Sequence, residues 1–189
     1  MRQEIHRQAV HFAVGTLLII LVLATAYLGI PQSILVAGLI GFFILAYFFI
    51  QQKYHTRIRL LHELIKHVTR EHEQKEMPAK AAFTLLAGAI ITIALFAPLA
   101  AITGLCILTF GDTVATLIGK YRGKIELVTN RTLEGTVAGI LISFIALYFF
   151  IAPQKAIGIA IVGMLAEYLP IDDNIGIPIV GALAASLLL

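Results

Sequence analysis

No charged side chain occurs between Phe12 and Ile50, and that feature decides which solvent this chain folds in. A bilayer core accepts a helix of about 20 apolar residues, so the stretch is too long for one span and long enough for two. Gly29-Ile30-Pro31 divides it, because proline lacks the donor a helix interior needs and pushes the preceding residue out of helical geometry. The pattern then recurs. Ala81 to Thr109 is apolar and divides near Ala97-Pro98. Leu133 to Ile151 makes a fifth span, Ala156 to Ala166 a short sixth after the turn at Ala152-Pro153, and Ile175 to Leu189 the last. These runs lack the alternation of barrel strands, and only helices or closed barrels satisfy their backbone groups in lipid. Of 189 residues, 59% are hydrophobic and 13% charged, with a mean hydropathy of +0.93; a water-soluble fold cannot hide so much apolar surface. The expectation is an all-α polytopic integral membrane protein of about seven transmembrane helices, forming one domain over residues 1–189.

The opening of the chain also has the features of a secretory signal: Arg2 and Arg7, an apolar run, then Ala24-Thr25-Ala26. The apolar run is too long for that reading, and six more follow it. Seven spans leave alternating loops, and the charges sort between them. The N-terminus, 51–80, 119–131 and 168–174 fall on one side, with every Asp and Glu and every Lys and Arg except Lys155. The positive-inside rule makes that side, and the N-terminus, cytoplasmic. The opposite turns are too short and apolar to hold a polar ligand. Gln51 to Lys80 has Ile58, Leu61, Leu64, Ile65 and Val68 at helical spacing among charged residues, which predicts an amphipathic cytoplasmic segment lying on the membrane or linking spans. A net charge of +3 gives no footprint for nucleic acid, and Cys106, the single cysteine, forms no intrachain disulfide.

Polar residues that could carry chemistry collect at the cytoplasmic boundary. Asp112 ends an apolar run, where an acid is costly unless paired, solvated or metal-bound. Asp112, Thr116 and Lys120 follow at i, i+4 and i+8 and share a helix face. Lys120, Arg122 and Lys124, interleaved with Gly119 and Gly123, suit a polyphosphate, because glycines admit backbone donors and the cations neutralise charge; the same residues serve as a topology signal. Arg131 precedes Thr132-Leu133-Glu134-Gly135, in which Asn130 or Thr132 caps a helix and Glu134 sits well in its first turn. Glu167, Asp172, Asp173 and Asn174 crowd another boundary. Capping by Asp173 or Asn174 uses one of them, and clustered oxygen ligands suit Mg²⁺, which keeps waters and bridges to phosphates. Glu4, Arg7 and His11 share one face of the first helix. His62, His67 and His72 are five residues apart and do not stack as metal ligands.

Together these segments resemble the CTP-dependent lipid-alcohol kinases, which include dolichol kinase, phytol kinase and the yeast-type diacylglycerol kinase. The resemblance covers nearly the whole chain. It rests on Glu4-x-x-Arg7-x-x-x-His11, on Gly111-Asp112-Thr113-Val114-Ala115-Thr116-Leu117-Ile118-Gly119-Lys120, on Lys124, on Thr132-Leu133-Glu134-Gly135-Thr136-Val137-Ala138-Gly139, and on Glu167 with Asp172-Asp173-Asn174. The chain departs from the family in having Arg7-Gln8 where Arg-Lys is usual, and Arg131 where Lys is usual. Its length resembles the compact prokaryotic, especially archaeal, members, which implies a plasma-membrane location. The resemblance implies transfer of the γ-phosphoryl group of CTP, with Mg²⁺, to the hydroxyl of a membrane lipid alcohol. Asp112 and Asp172 or Asp173 would hold the metal. Lys120, Arg122, Lys124, Arg131 and Arg7 would hold phosphates, and Glu134 and Glu167 would act as metal support, nucleotide contacts or the base. Glu4, His11, Thr116 and Asn174 are further candidates.

Two other readings compete with this one. A CTP:lipid-phosphate cytidylyltransferase shares an Asp-x-x-Ala-x-x-x-Gly stretch but usually ends in a Gly/His-rich segment with Asp-Arg-x-Asp, which this chain lacks. A small transporter needs polar residues along a path across the bilayer, and the mid-span positions here are nearly all apolar.

Overall fold

The structure is a computed structural model, and it describes residues 2–55, 80–127 and 131–189. Most of the expected amphipathic segment, all three of His62, His67 and His72, and a cap at Asn130 lie outside the described residues. The described residues form seven helices: α1 (Arg2–Tyr27), α2 (Gln32–His55), α3 (Lys80–Leu95), α4 (Pro98–Arg122), α5 (Leu133–Tyr148), α6 (Pro153–Leu165) and α7 (Asp173–Leu188). Among the described residues no strand forms, and one isolated bridge joins Glu126 to Thr132. The breaks fall where the sequence places them. Gly29 adopts φ +66° between α1 and α2, a conformation glycine takes at no steric cost. Pro98 and Pro153 stand in the first turn of α4 and α6, where a missing N–H costs nothing.

Among the described residues, three segments are long and apolar enough to cross a membrane: Glu4–Tyr27, Gln32–Ile50 and Pro98–Arg122. Lys80–Leu95, Leu133–Tyr148 and Asp173–Leu188 are shorter apolar helices. The third long segment corrects the sequence reading, which ended the apolar run at Thr109. The helix continues without a break to Arg122, through a π-helical segment at Ile107–Asp112. Such wide turns are rare and concentrate at functional sites.

Most of α4 is buried, and its neighbours approach through small residues. A Cβ added to Gly104 would lie 2.1 Å from the carbonyl oxygen of Pro178 on α7. One on Gly135 of α5 would lie 2.7 Å from the Ala115 carbonyl oxygen, and one on Gly139 would lie 2.9 Å from the Ala115 Cβ. On the other side α1 runs antiparallel to α4, with Glu4 beside Lys120, His11 beside Leu108, and Gly15 against Thr109. Such close packing is how helices associate where no hydrophobic effect drives them together. At Gly88 of α3, an added Cβ would fall 2.0 Å from the Asn174 carbonyl oxygen. That carbonyl lacks its usual intrahelical donor because Pro178 stands four residues on, inside α7. The outer helix α2 rests on α3 through Phe43 and Tyr47, whose rings lie 5.3 and 5.7 Å from that of Phe83. Gln32 donates to the carbonyls of Ile93 and Phe96 at 2.6 and 3.0 Å, satisfying orphan acceptors at the end of α3.

Candidate functional site

A cavity of about 520 Å³ lies where α1 and α3 begin and α4 ends, a volume in the range of small-molecule sites. Its polar lining comes from five separate stretches: Glu4, Arg7, Gln8 and His11 of α1; Asp112, Thr116 and Lys120 of α4; Arg131, Thr132 and Thr136 at the start of α5; Glu167; and Asp173 with Asn174. Its apolar lining comes from Val10 and Val14 of α1 and Ala81, Ala82 and Leu85 of α3.

The Asp112, Thr116, Lys120 face is present as the spacing predicts. Asp112 is only 6% exposed. Thr116 donates to it over a long 3.4 Å, and its other oxygen lies 3.8 Å from His11 Nε2. That same nitrogen is 3.4 Å from the Leu108 carbonyl, inside the π-helical segment, so Nε2 carries the proton. Asp112 therefore retains acceptor capacity toward the cavity.

Glu4 is buried and bridges two cations: one oxygen accepts from Arg7 Nε at 2.8 Å, the other from Lys120 Nζ at 2.8 Å. This ties the start of α1 to the end of α4 across the mouth. Arg131 and Asp173 form an ion pair on the far wall. Burial alone would lower the Arg131 pKa, but the Asp173 charge outweighs it and the guanidinium stays protonated. Glu167 is 4% exposed and accepts from Thr136 Oγ1 at 2.5 Å. With that proton committed, the Tyr168 hydroxyl donates to Thr136 Oγ1 at 2.7 Å. Burial pushes the Glu167 carboxyl above the usual glutamate range, and the Thr136 hydrogen bond and the Arg131 charge offset only part of that rise.

Four candidates from the sequence do not line the cavity: Arg122, Lys124, Glu134 and Asp172. Arg122 and Lys124 are exposed just past the mouth. Both Glu134 oxygens lie 3.3 Å from the Ile125 N–H, so this acid pins the loop after α4 to α5. Asp172 caps α7 by accepting from the Asn174 N–H at 3.0 Å. The sequence assigned that cap to Asp173 or Asn174; with Asp172 in that place, Asp173 is released to meet Arg131. Thr132 caps α5, as the sequence allowed, accepting from Gly135 N–H at 3.2 Å. Sequence reasoning missed Gln8, Thr136 and Tyr168. Gln8 is one turn after Glu4, which places it on the same face; nothing local marks Tyr168.

Among the described residues, no three His, Cys, Asp or Glu side chains gather closely enough to cage a metal. The donors fit a Mg²⁺ ion that takes one or two carboxylates and completes its shell with water and phosphate oxygens. They do not fit an all-protein site.

The class these features define is an all-helical protein with three helices able to span a bilayer and a charged cavity at one end of the bundle. No family model matches the chain, and no solved structure matches it. It is similar to an uncharacterized protein of Methanocaldococcus jannaschii, 29% identical over 187 residues, which cover 95% of this chain and 91% of that protein.

Proposed function

We propose that the protein is a CTP-dependent lipid kinase, spanning the membrane about seven times with its cavity open to the cytoplasm. One observation carries the reading: a single cavity gathers Arg7, Lys120 and Arg131 with Asp112, Glu167 and Asp173, beside an apolar wall. Phosphoryl transfer requires positioning and charge stabilisation more than covalent chemistry. The lipid hydroxyl oxygen attacks the γ-phosphorus, the bond to the β–γ bridging oxygen breaks, CDP leaves, and the hydroxyl proton passes to a cavity carboxylate. Lys120, Arg7 and Arg131 hold phosphate oxygens. Asp112 would hold a Mg²⁺ ion, which would neutralise charge on the phosphate oxygens. Arg122 and Lys124 draw the anionic nucleotide toward the mouth. The preference for CTP, and for a lipid alcohol of the polyprenol kind, rests on the resemblance. The cytoplasmic orientation rests on the distribution of Lys and Arg.

The deciding experiment supplies membranes containing the protein with CTP labelled on the γ-phosphate or on the base, together with candidate lipid alcohols. Label from the γ-phosphate in the lipid supports the kinase. Labelled cytidine in the lipid, with pyrophosphate released, overturns it in favour of a cytidylyltransferase. Lys120→Ala is expected to raise the KM for CTP by about tenfold, the scale of one lost charged hydrogen bond at a half-exposed site; steady-state kinetics in detergent checks this.

Glu167 gives a pH prediction. Its carboxyl is raised above the ordinary value of 4.5, so the acid limb of the transfer rate falls above pH 4.5. Removing the Thr136 hydroxyl, which lowers the Glu167 pKa, should move that limb to higher pH in Thr136→Val. The sign for stability is opposite to that of a salt-bridged acid: a raised carboxyl pKa makes the fold less stable as pH rises through the interval between the unfolded and folded values. Glu167→Gln should therefore raise the melting temperature at neutral pH, while transfer falls at every pH toward the level seen at the acid end of the wild-type limb. An unmoved limb in Thr136→Val would remove Glu167 from the rate.

A further inference from the structure

The cavity has two unlike walls. Every charged group comes from the first turns of α1 and from α4, α5, Glu167 and α7, whereas α3 contributes only Ala81, Ala82 and Leu85. Along α1 the lining changes character with depth, from Glu4, Arg7 and Gln8 through His11 to Val14. Ten residues of helix separate Glu4 from Val14, about 15 Å at the usual rise. The cavity thus follows α1 from its charged end down into the apolar part of a helix long enough to span a membrane.

The residues of this lower section also reach the outer surface. Val10 is 40% exposed and Val14 36% exposed, although both line the cavity, and Ala82 across from them is exposed as well. Immediately below, Leu17 and Ile20 continue the exposed apolar side of α1. Such a surface is at home in lipid, and it borders the cavity between α1 and α3. Gln8 sits at the junction of the two walls, 4% exposed, and its Oε1 has no hydrogen-bond partner among the described residues. A buried amide oxygen without a donor is costly, and a hydroxyl supplies one.

We propose that the opening between α1 and α3 is the lateral portal of this protein: the hydrocarbon chain of the acceptor lies between Val10 and Val14 on one side and Ala82 and Leu85 on the other, with its hydroxyl at Gln8. This rests on the lipid-kinase reading for the identity of the acceptor and deepens it by assigning the groove that selects a long apolar chain. The portal lets a lipid bring its hydroxyl to the phosphates without leaving the bilayer, which avoids exposing the apolar chain to water.

The test uses the full chain in lipid nanodiscs with a diazirine-bearing long-chain alcohol as probe. After photolysis, adducts are expected on Val10, Val14 and Ala81 to Leu85, suppressed by excess unlabelled long-chain alcohol and unaffected by the corresponding hydrocarbon. Adducts spread over Leu17, Ile20 and Phe42 with no hydroxyl-dependent competition would overturn the proposal, as would a Val14→Cys variant that oxidises to a chain-to-chain dimer and excludes the probe. Val14→Trp, which overfills the groove, should cut kcat/KM for a long-chain alcohol by about tenfold or more relative to a short-chain alcohol. Leu17→Trp, one turn outside the lining, should leave that ratio unchanged; equal losses for both chain lengths in Val14→Trp also overturn it. Cross-linking needs no catalysis, so the two readings fail separately. Adducts at the groove without phosphoryl transfer sink the kinase alone, and transfer with adducts elsewhere sinks the portal alone.

Discussion

Asp112→Asn is expected to cut the proposed phosphoryl transfer by about 10²–10³-fold, the cost of losing one preorganised electrostatic group, and to leave the protein folded. The substitution keeps shape and burial, and the carboxamide oxygen still accepts from Thr116. What it loses is the negative charge that would receive a metal-bound nucleotide. His11, 3.8 Å from the second oxygen, cannot replace that charge because an imidazole is either neutral or cationic. The measurement is transfer from γ-labelled CTP in reconstituted membranes, with elution on size exclusion as the control for folding. Full activity in a well-folded Asp112→Asn protein would take this acid out of the reaction, and with it the strongest support for a kinase.

Gly104→Leu acts on the opposite side of the balance and unfolds the bundle without touching the cavity. The side chain must occupy a volume where the Pro178 carbonyl oxygen lies 2.1 Å from the first carbon and the Ala182 amide 3.0 Å away. Backbone atoms of a helix cannot step aside as a flexible side chain can. Overpacking costs typically 1–3 kcal/mol in ordinary cores, and this contact, between the buried α4 and α7, stands at or above the top of that range. Gly158→Leu serves as control, because a Cβ there meets only Leu188 Cδ1 at 4.0 Å. Thermal unfolding in detergent should separate the two by many degrees, and similar melting temperatures would mean that α4 and α7 do not cross at Gly104.

The all-helical class was legible because a charge-free stretch from Phe12 to Ile50 and prolines at 31, 98 and 153 leave few other folds. The convergence at one end was legible for a different reason: Glu4, Arg7 and His11, and Asp112, Thr116 and Lys120, lie at helical spacings that put each set on one face. Those faces do meet across one cavity. Side-chain duties at helix starts were not legible. Asp172, Asp173 and Asn174 are chemically near-equivalent caps, and only the entry angle of α7 makes Asp172 the cap and Asp173 the partner of Arg131. The family resemblance of Thr132-Leu133-Glu134-Gly135 implies a site role for Glu134, yet a one-residue difference on a helix turns a side chain by about 100°; Gly135 lines the cavity and Glu134 faces the Ile125 amide. The extent of α4 was hidden because Gly111 to Arg122 is polar. A helix enclosed by other protein does not need an apolar surface all round.

The wide turn at Ile107–Asp112 divides α4 into two halves. The half before it is keyed to α7 through Gly104, and the half after it presents Asp112, Thr116 and Lys120. Losing one residue from the wide turn would close it to ordinary α-helix with both halves kept in phase, whereas losing one from the α-helical parts of α4 would swing the far half by roughly 100° and carry Asp112, Thr116 and Lys120 away from Glu4 and Arg131 together. Chain length elsewhere in α4 is thus under as tight a constraint as the chemistry of any side chain there, and tolerated changes in length belong in the wide turn or in the connections between helices.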